Sequence, residues 1–221
     1  MFYFRINNIK ISDIKERPNY LLIGSDLLPL KLISFITTEN SVLPDMSAFL
    51  QTTDFNLKKT FLKQAIETVV STRIYTKIDN VIDNYNFSFR SPGYVLYKSN
   101  KIPNDFNWQF IAYEKEQDIR EGCQMVENIV NDKDFDNFTR KLTTILTKTV
   151  NPSHSAAVSI ARYAINVTSR IAKQNHNDLL GISYTSLNRS QDYIYGGRIR
   201  DRISDMTNNM FIDYSIFGYD E

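Results

Sequence analysis

Apolar and polar residues alternate at both ends of this chain, and between the ends the apolar positions recur at three and four. At the start, Phe2, Phe4 and Ile6 alternate with Tyr3, Arg5 and Asn7, the period of a half-buried strand. The apolar set then moves by one place to Ile9 and Ile11, and a bulge at Asn7-Asn8 would keep both sets on one face. At the far end Met210, Ile212, Tyr214 and Ile216 alternate with Asp213 and Ser215 and predict a strand over 209–218. Further strands are expected at 20–23, 30–37, 94–97, 106–114 and 180–187, with turns at Gly24-Ser25-Asp26, Pro92-Gly93 and Gly196-Gly197. The stretch 41–54 holds Pro44 and no clear period, and reads as loop.

Helical spacing begins near Asp54, which with Asn56 is a candidate cap. Leu62, Ile66, Val69, Val70, Ile74, Ile78, Val81 and Ile82 predict one amphipathic helix from about 54 to 82. Ile119, Cys123, Val126 and Val130 form a second stripe, and Phe135, Phe138, Leu142, Ile145, Leu146 and Thr149 a third. Asn151-Pro152 opens a long last helix, because asparagine caps and proline is tolerated in the first turn. Its core face is Ala157, Ile160, Ala161, Ala164, Val167 and Ile171.

Helices grouped between strand runs favour an α+β fold over an alternating parallel sheet. The expectation is a single α+β domain over 1–221. Its N- and C-terminal strands form a mostly antiparallel β-sheet or sandwich, and a central helical segment packs against it. At the level of fold alone, the strand set resembles C2-like and other binding modules, which implies no activity.

Composition narrows the function classes. A net charge of +1 lacks the broad positive field of a non-specific nucleic-acid binder, so no nucleic acid is expected as a partner. Arg5 and two asparagines interrupt the N-terminus where a signal peptide would be apolar. The most apolar helix, over 156–172, carries Arg162 and Arg170, which are costly at a bilayer centre. No transmembrane span is therefore expected, and a soluble, cytoplasmic protein is. Cys123 is the sole cysteine, which excludes an internal disulfide. The abundance of Asn, Ile, Lys, Tyr and Phe suggests an AT-rich genome, bacterial or viral.

Candidate chemistry is sparse, and neither a cofactor nor a metal is expected. Asp132-Lys133-Asp134-Phe135-Asp136 begins like a calcium loop, but Asn137 stands where the turn glycine belongs and Thr143 where the bidentate glutamate belongs. Asp134 reads instead as a helix cap. His154 and His176 sit at helix ends, and neither has a sequence signature of a nucleophile pair or a zinc set. Cys123 lies on an apolar stripe. Glu114, Glu116 and Asp118 follow a strand and read as its solvated end. The best surface candidate is Arg198, Arg200 and Arg202: in a regular strand they share a face and could grip carboxylates or phosphates, with Asp192, Asp201 and Asp205 as balancing charges. The leading expectation is a non-enzymatic binding or assembly protein with a protein partner, compatible with a homo-oligomer or a peripheral membrane contact. The alternatives are a membrane-acting or pore-forming protein and a hydrolase with dispersed active-site residues.

Overall fold

The computed structural model describes residues 1–13, 28–114, 123–174, 179–195 and 197–219, with the backbone alone at Leu28, Cys123 and 198–200. The expected strand at 20–23, together with Glu116, Asp118 and His176, lies outside the described residues.

The first and last strands are hydrogen-bonded neighbours. β1 (Phe2–Ile11) pairs antiparallel with β9 (Met210–Gly218) along its whole length. Asn7 is the extra residue in the pairing, so Phe2, Phe4, Ile6, Ile9 and Ile11 all face inward and are fully buried. On its other side β1 carries β4 (Asn86–Ser88) and β5 (Tyr94–Ser99), and β9 carries β8 (Arg198–Ser204). This is sheet A. Sheet B runs β3 (Ile74–Val81), β2 (Leu28–Thr38), β6 (Asp105–Glu114) and β7 (Leu179–Asn188), again antiparallel.

The two sheets close on one apolar core in which Phe2, Phe4 and Tyr214 of sheet A meet Phe106, Trp108 and Phe110 of sheet B. The helices are not the filling between the sheets. They form a third layer on the other face of sheet B, in a second core with Ile33, Phe35, Ile111 and Tyr113. β6 is therefore buried on both faces from Phe106 to Glu114, although its sequence alternates like a half-exposed strand.

The helical layer comprises α1 (Ser47–Gln51), α2 (Phe55–Ser71), α3 (Cys123–Val130), α4 (Phe135–Leu146) and α5 (Pro152–Gln174); a one-turn α6 (Arg189–Asp192) follows β7. α1 lies in the stretch expected to be loop. The caps of α2 and α5 follow the sequence: Asp54 Oδ1 accepts from the Asn56 and Leu57 amides at 2.8 and 3.2 Å, and Asn151 Oδ1 from the His154 amide at 3.1 Å. α5 packs on β6 and also touches α2, α3 and α4, so its alanines permit close approach on several sides.

The expected helix over 54–82 is corrected. It stops at Ser71, and Ile74, Ile78 and Val81 belong to β3. A spacing of four satisfies both the helical and the strand period, so Ile74 and Ile78 could not discriminate. Thr76, buried between them, completes the strand alternation. Asn80 (φ 62°) then shifts the register and brings Val81 inward.

Gly181 and Ala112 are register partners, and this small pair lets sheet A approach sheet B. A Cβ on Gly181 would lie 3.0 Å from Met210 Cβ and 3.1 Å from its sulfur. Gly181→Ala is expected to cost roughly 1–3 kcal/mol by overpacking. A shift of the denaturant midpoint at unchanged slope checks this, and an unshifted midpoint would contradict the close approach.

Candidate functional site

Sheet B hides one face under the helices and the other against sheet A. Among the described residues, no helix is stacked on the outer face of sheet A, and the strand registers set the order of side chains on that face. Lys98, Tyr3 and Phe217 form one row across β5, β1 and β9. Val95, Arg5 and Ser215 form the next. Asn8, Asp213 and Arg202 form a third that continues onto β8, and Lys10, Phe211 and Ser204 a fourth.

Cations and rings interlock on this face. The Arg5 guanidinium lies 4.3 Å from the centre of the Phe217 ring, and Lys98 Nζ lies 5.5 Å from that of Tyr3. Such stacking is favourable and holds a flexible cation in place. Asn7 Nδ2 donates to Ser215 Oγ at 2.7 Å, and Ser215 is buried beneath its neighbours. Arg5 Nε is shielded from solvent and has no hydrogen-bond partner. Asp213 is the one carboxylate in these rows, and Arg202 clamps it through Nε at 2.6 Å and Nη2 at 3.1 Å.

The arginine candidates are on β8 of this same sheet. The backbone pairing of β8 with β9 carries a register shift between Arg198 and Asp201. The side chains of Arg198 and Arg200 lie outside the described residues. Arg202 draws its countercharge from Asp213; Asp201 Oδ2 accepts from the Tyr214 hydroxyl at 3.1 Å, and Asp205 is enclosed in the turn before β9. Sequence reasoning passed over Tyr3, Arg5, Lys98 and Phe217. The alternation at Tyr3 and Arg5 marks an outward face, but nothing in it says that Lys98 and Phe217 flank them.

The remaining candidates take structural positions. His154 Nε2 lies 3.3 Å from Asn107 Nδ2, and Ser186 Oγ donates to Asn107 Oδ1 at 2.9 Å. The serine and the histidine thus meet the same asparagine from two sides and not each other. Asp134 sits at the N-cap of α4 without a side-chain cap bond, which corrects the expected role. Asp132 does the ordering instead: its Oδ1 accepts from the Asp134 amide at 3.0 Å and from the Tyr163 hydroxyl at 2.7 Å, and its Oδ2 meets Arg170 at 2.6 Å. Burial pushes the Asp132 carboxyl up, but the bonds from Tyr163, Arg170 and the Asp134 amide outweigh it, and its pKa lies below the ordinary value. Glu114 is buried at the end of β6, not a solvated strand end. The side chain of Cys123 lies outside the described residues.

An open cleft of about 520 Å³ separates α2 from the α3–α4 turn, lined by Lys59, Lys63 and Lys133 but also by Asp132 and Asp136. Lys59 meets Asp136 at 3.3 Å, so the cleft has mixed charge. A second, of about 400 Å³, lies beside Asn104, Asn188, Arg189, Ser190 and Ile194. Among the described residues no group of three His, Cys, Asp or Glu is placed to hold a metal ion, and no helix is long and apolar enough to cross a membrane. No protein-family model matches the chain and no curated protein matches it in sequence.

Proposed function

We propose that the chain is a non-enzymatic binding or assembly protein that acts through protein–protein contacts. The observation that supports this reading is the outer face of sheet A, which no helix covers among the described residues and where Arg5 lies on Phe217 and Lys98 on Tyr3. Tyrosine, arginine and phenylalanine are enriched at protein interfaces, where their side chains offer large contact area. Several interior polar groups are taken up elsewhere. His154, Asn107 and Ser186 tie α5 to sheet B, Asp132 ties the α3–α4 turn to α5, and Asp205 closes the last hairpin. A soluble, cytoplasmic setting belongs to the same proposal, and the lone Cys123 fits a reducing compartment.

The β8 arginines belong to the edge of this sheet. A tagged chain is expected to retain one polypeptide at fixed stoichiometry from its host, and binding is then rebuilt from the two purified components. Arg200→Ala is expected to weaken that binding by about tenfold with an unchanged melting temperature. Equal affinity would remove Arg200 from the contact. Failure of any polypeptide to bind at fixed stoichiometry would overturn the reading itself.

A further inference from the structure

We infer that the outer face of sheet A is the contact surface, and that its occupant is an acidic protein segment whose carboxylates are taken by Arg5 and Lys98. This rests on the protein-binding reading and names the partner's chemistry.

Charge selects the occupant. Within the four rows the cations are Arg5, Lys10, Lys98 and Arg202, against the single carboxylate of Asp213. The whole chain carries only +1. The rows thus hold a local excess of cations over carboxylates. Arg202 and Asp213 neutralise each other through two bonds. That leaves Arg5, Lys98 and Lys10, none of which has an ion pair with a described residue.

Geometry selects Arg5 as the anchor. Its strand neighbours on this face are Ser215 of β9 and Val95 of β5, so no acid faces it across either ladder. Gly93 lies alongside, where a Cβ would come within 3.2 Å of Arg5 Cδ and 2.9 Å of the Ile6 carbonyl. Phe217 lies against the guanidinium on another side. The group is held in a fixed pose with its Nε unsatisfied. A planar fork held in this way is pre-organised for a carboxylate, and little ordering entropy remains to be lost on binding. Lys98 stands one row away over Tyr3, so two acidic residues of one segment can be met together, with the rings as the apolar floor between them.

The occupant favoured is a polypeptide and not a nucleic acid. Both Tyr3 and Phe217 already have a cation over the ring, which occupies the place where a base would stack.

The test titrates the intact chain with three probes followed by amide and side-chain resonances: an oligoglutamate peptide, its oligoglutamine counterpart, and an oligothymidylate. Oligoglutamate is expected to give saturable shifts centred on Tyr3, Arg5, Lys98 and Phe217 that weaken as salt rises. Oligoglutamine is expected to give none. The double variant Arg5→Gln, Lys98→Gln is expected to bind roughly tenfold more weakly or worse. Lys141→Gln with Lys148→Gln removes the same charge from the helical side and is expected to bind as the unaltered chain does. An unchanged spectrum away from the substitutions shows that each variant is folded. Equal loss in both double variants, shifts centred elsewhere, or tighter binding of oligothymidylate would each overturn the inference. The protein-binding reading falls separately, if the reconstituted partner fails to bind. A partner that binds the Arg5, Lys98 variant undiminished would sink this inference and leave that reading standing.

Discussion

Asp205→Ala is expected to destabilise the chain by about 3 kcal/mol or more. The carboxylate is 3% exposed and closes the turn between β8 and β9 with four hydrogen bonds. One oxygen accepts from the amides of Asn209 at 2.7 Å and Met210 at 2.9 Å. The other accepts from the amide and hydroxyl of Thr207 at 2.8 and 2.7 Å. Alanine removes the acceptor and strands three backbone donors at a site with little access to water, and an unpaired buried donor costs more than a mean hydrogen bond contributes. The turn also organises its surroundings. Asn209 Nδ2 donates to the carbonyls of Leu180 at 3.0 Å and Asp13 at 2.8 Å, and the Met206 amide donates to Ile182 O, so this hairpin ties sheet A to β7 of sheet B. Asp205→Asn keeps the shape and one oxygen, and is expected to cost about half as much.

The same residue sets a pH dependence. Burial pushes the Asp205 carboxyl up, but the bonds from Met210, Thr207 and Asn209 outweigh it, so its pKa in the folded chain lies below the ordinary 3.8. A depressed folded-state pKa means that the contribution is complete above the ordinary value and is lost as pH falls through the folded-state value. Urea midpoints taken from neutral pH down into this acid range should therefore converge for the native chain and Asp205→Ala. A gap that stays constant with falling pH would show that the carboxylate charge is not what closes the turn.

Trp108→Ala is expected to cost about 4 kcal/mol, at the upper end of core truncations. Trp108 is fully buried on the sheet-A side of β6. Its ring centre lies 4.9 Å from those of Phe4 and Phe110 and 6.4 Å from that of Tyr214, so it touches both sheets. Its Nε1 donates to Ser34 Oγ at 3.2 Å, and Ser34 is itself buried. Alanine would leave a cavity between the sheets and an orphaned hydroxyl. Ser34→Ala removes only the acceptor, and is expected to cost about 1–3 kcal/mol by stranding the indole N–H. Far-ultraviolet circular dichroism in a denaturant series measures both, since Trp108 is the sole tryptophan and its fluorescence is lost with it. A cost below about 2 kcal/mol for Trp108→Ala would mean that the two sheets are not in close-packed contact there.

What was legible along the chain follows from short-range periodicity. The alternation at Phe2–Phe4–Ile6 and at Ile212–Tyr214–Ile216, with the step to Ile9 and Ile11, defined two strands and the bulge at Asn7 between them. Asp54 and Asn151 marked helix starts through short polar side chains that reach amides two or three residues on. Where the pattern failed, the cause was a signal with two solutions or a contact from far away. Ile74 and Ile78 stand four apart, which suits a helix and a strand alike, and only the pairing with β2 decides for the strand. Asp134 had the composition of a cap, but Tyr163 and Arg170, both on α5, recruit Asp132 to order that turn instead.

The amino-acid order alone determined the fold class, the strand character of both termini and the inward faces of β1 and β9, because these depend on side-chain period within a few residues. The tertiary structure decided the rest. It placed the helices on the outer face of sheet B rather than inside the sandwich. It also set Lys98 on Tyr3 and Arg5 on Phe217. Those pairs join residues up to 212 positions apart in the sequence; strand register, not local periodicity, brings them into one row.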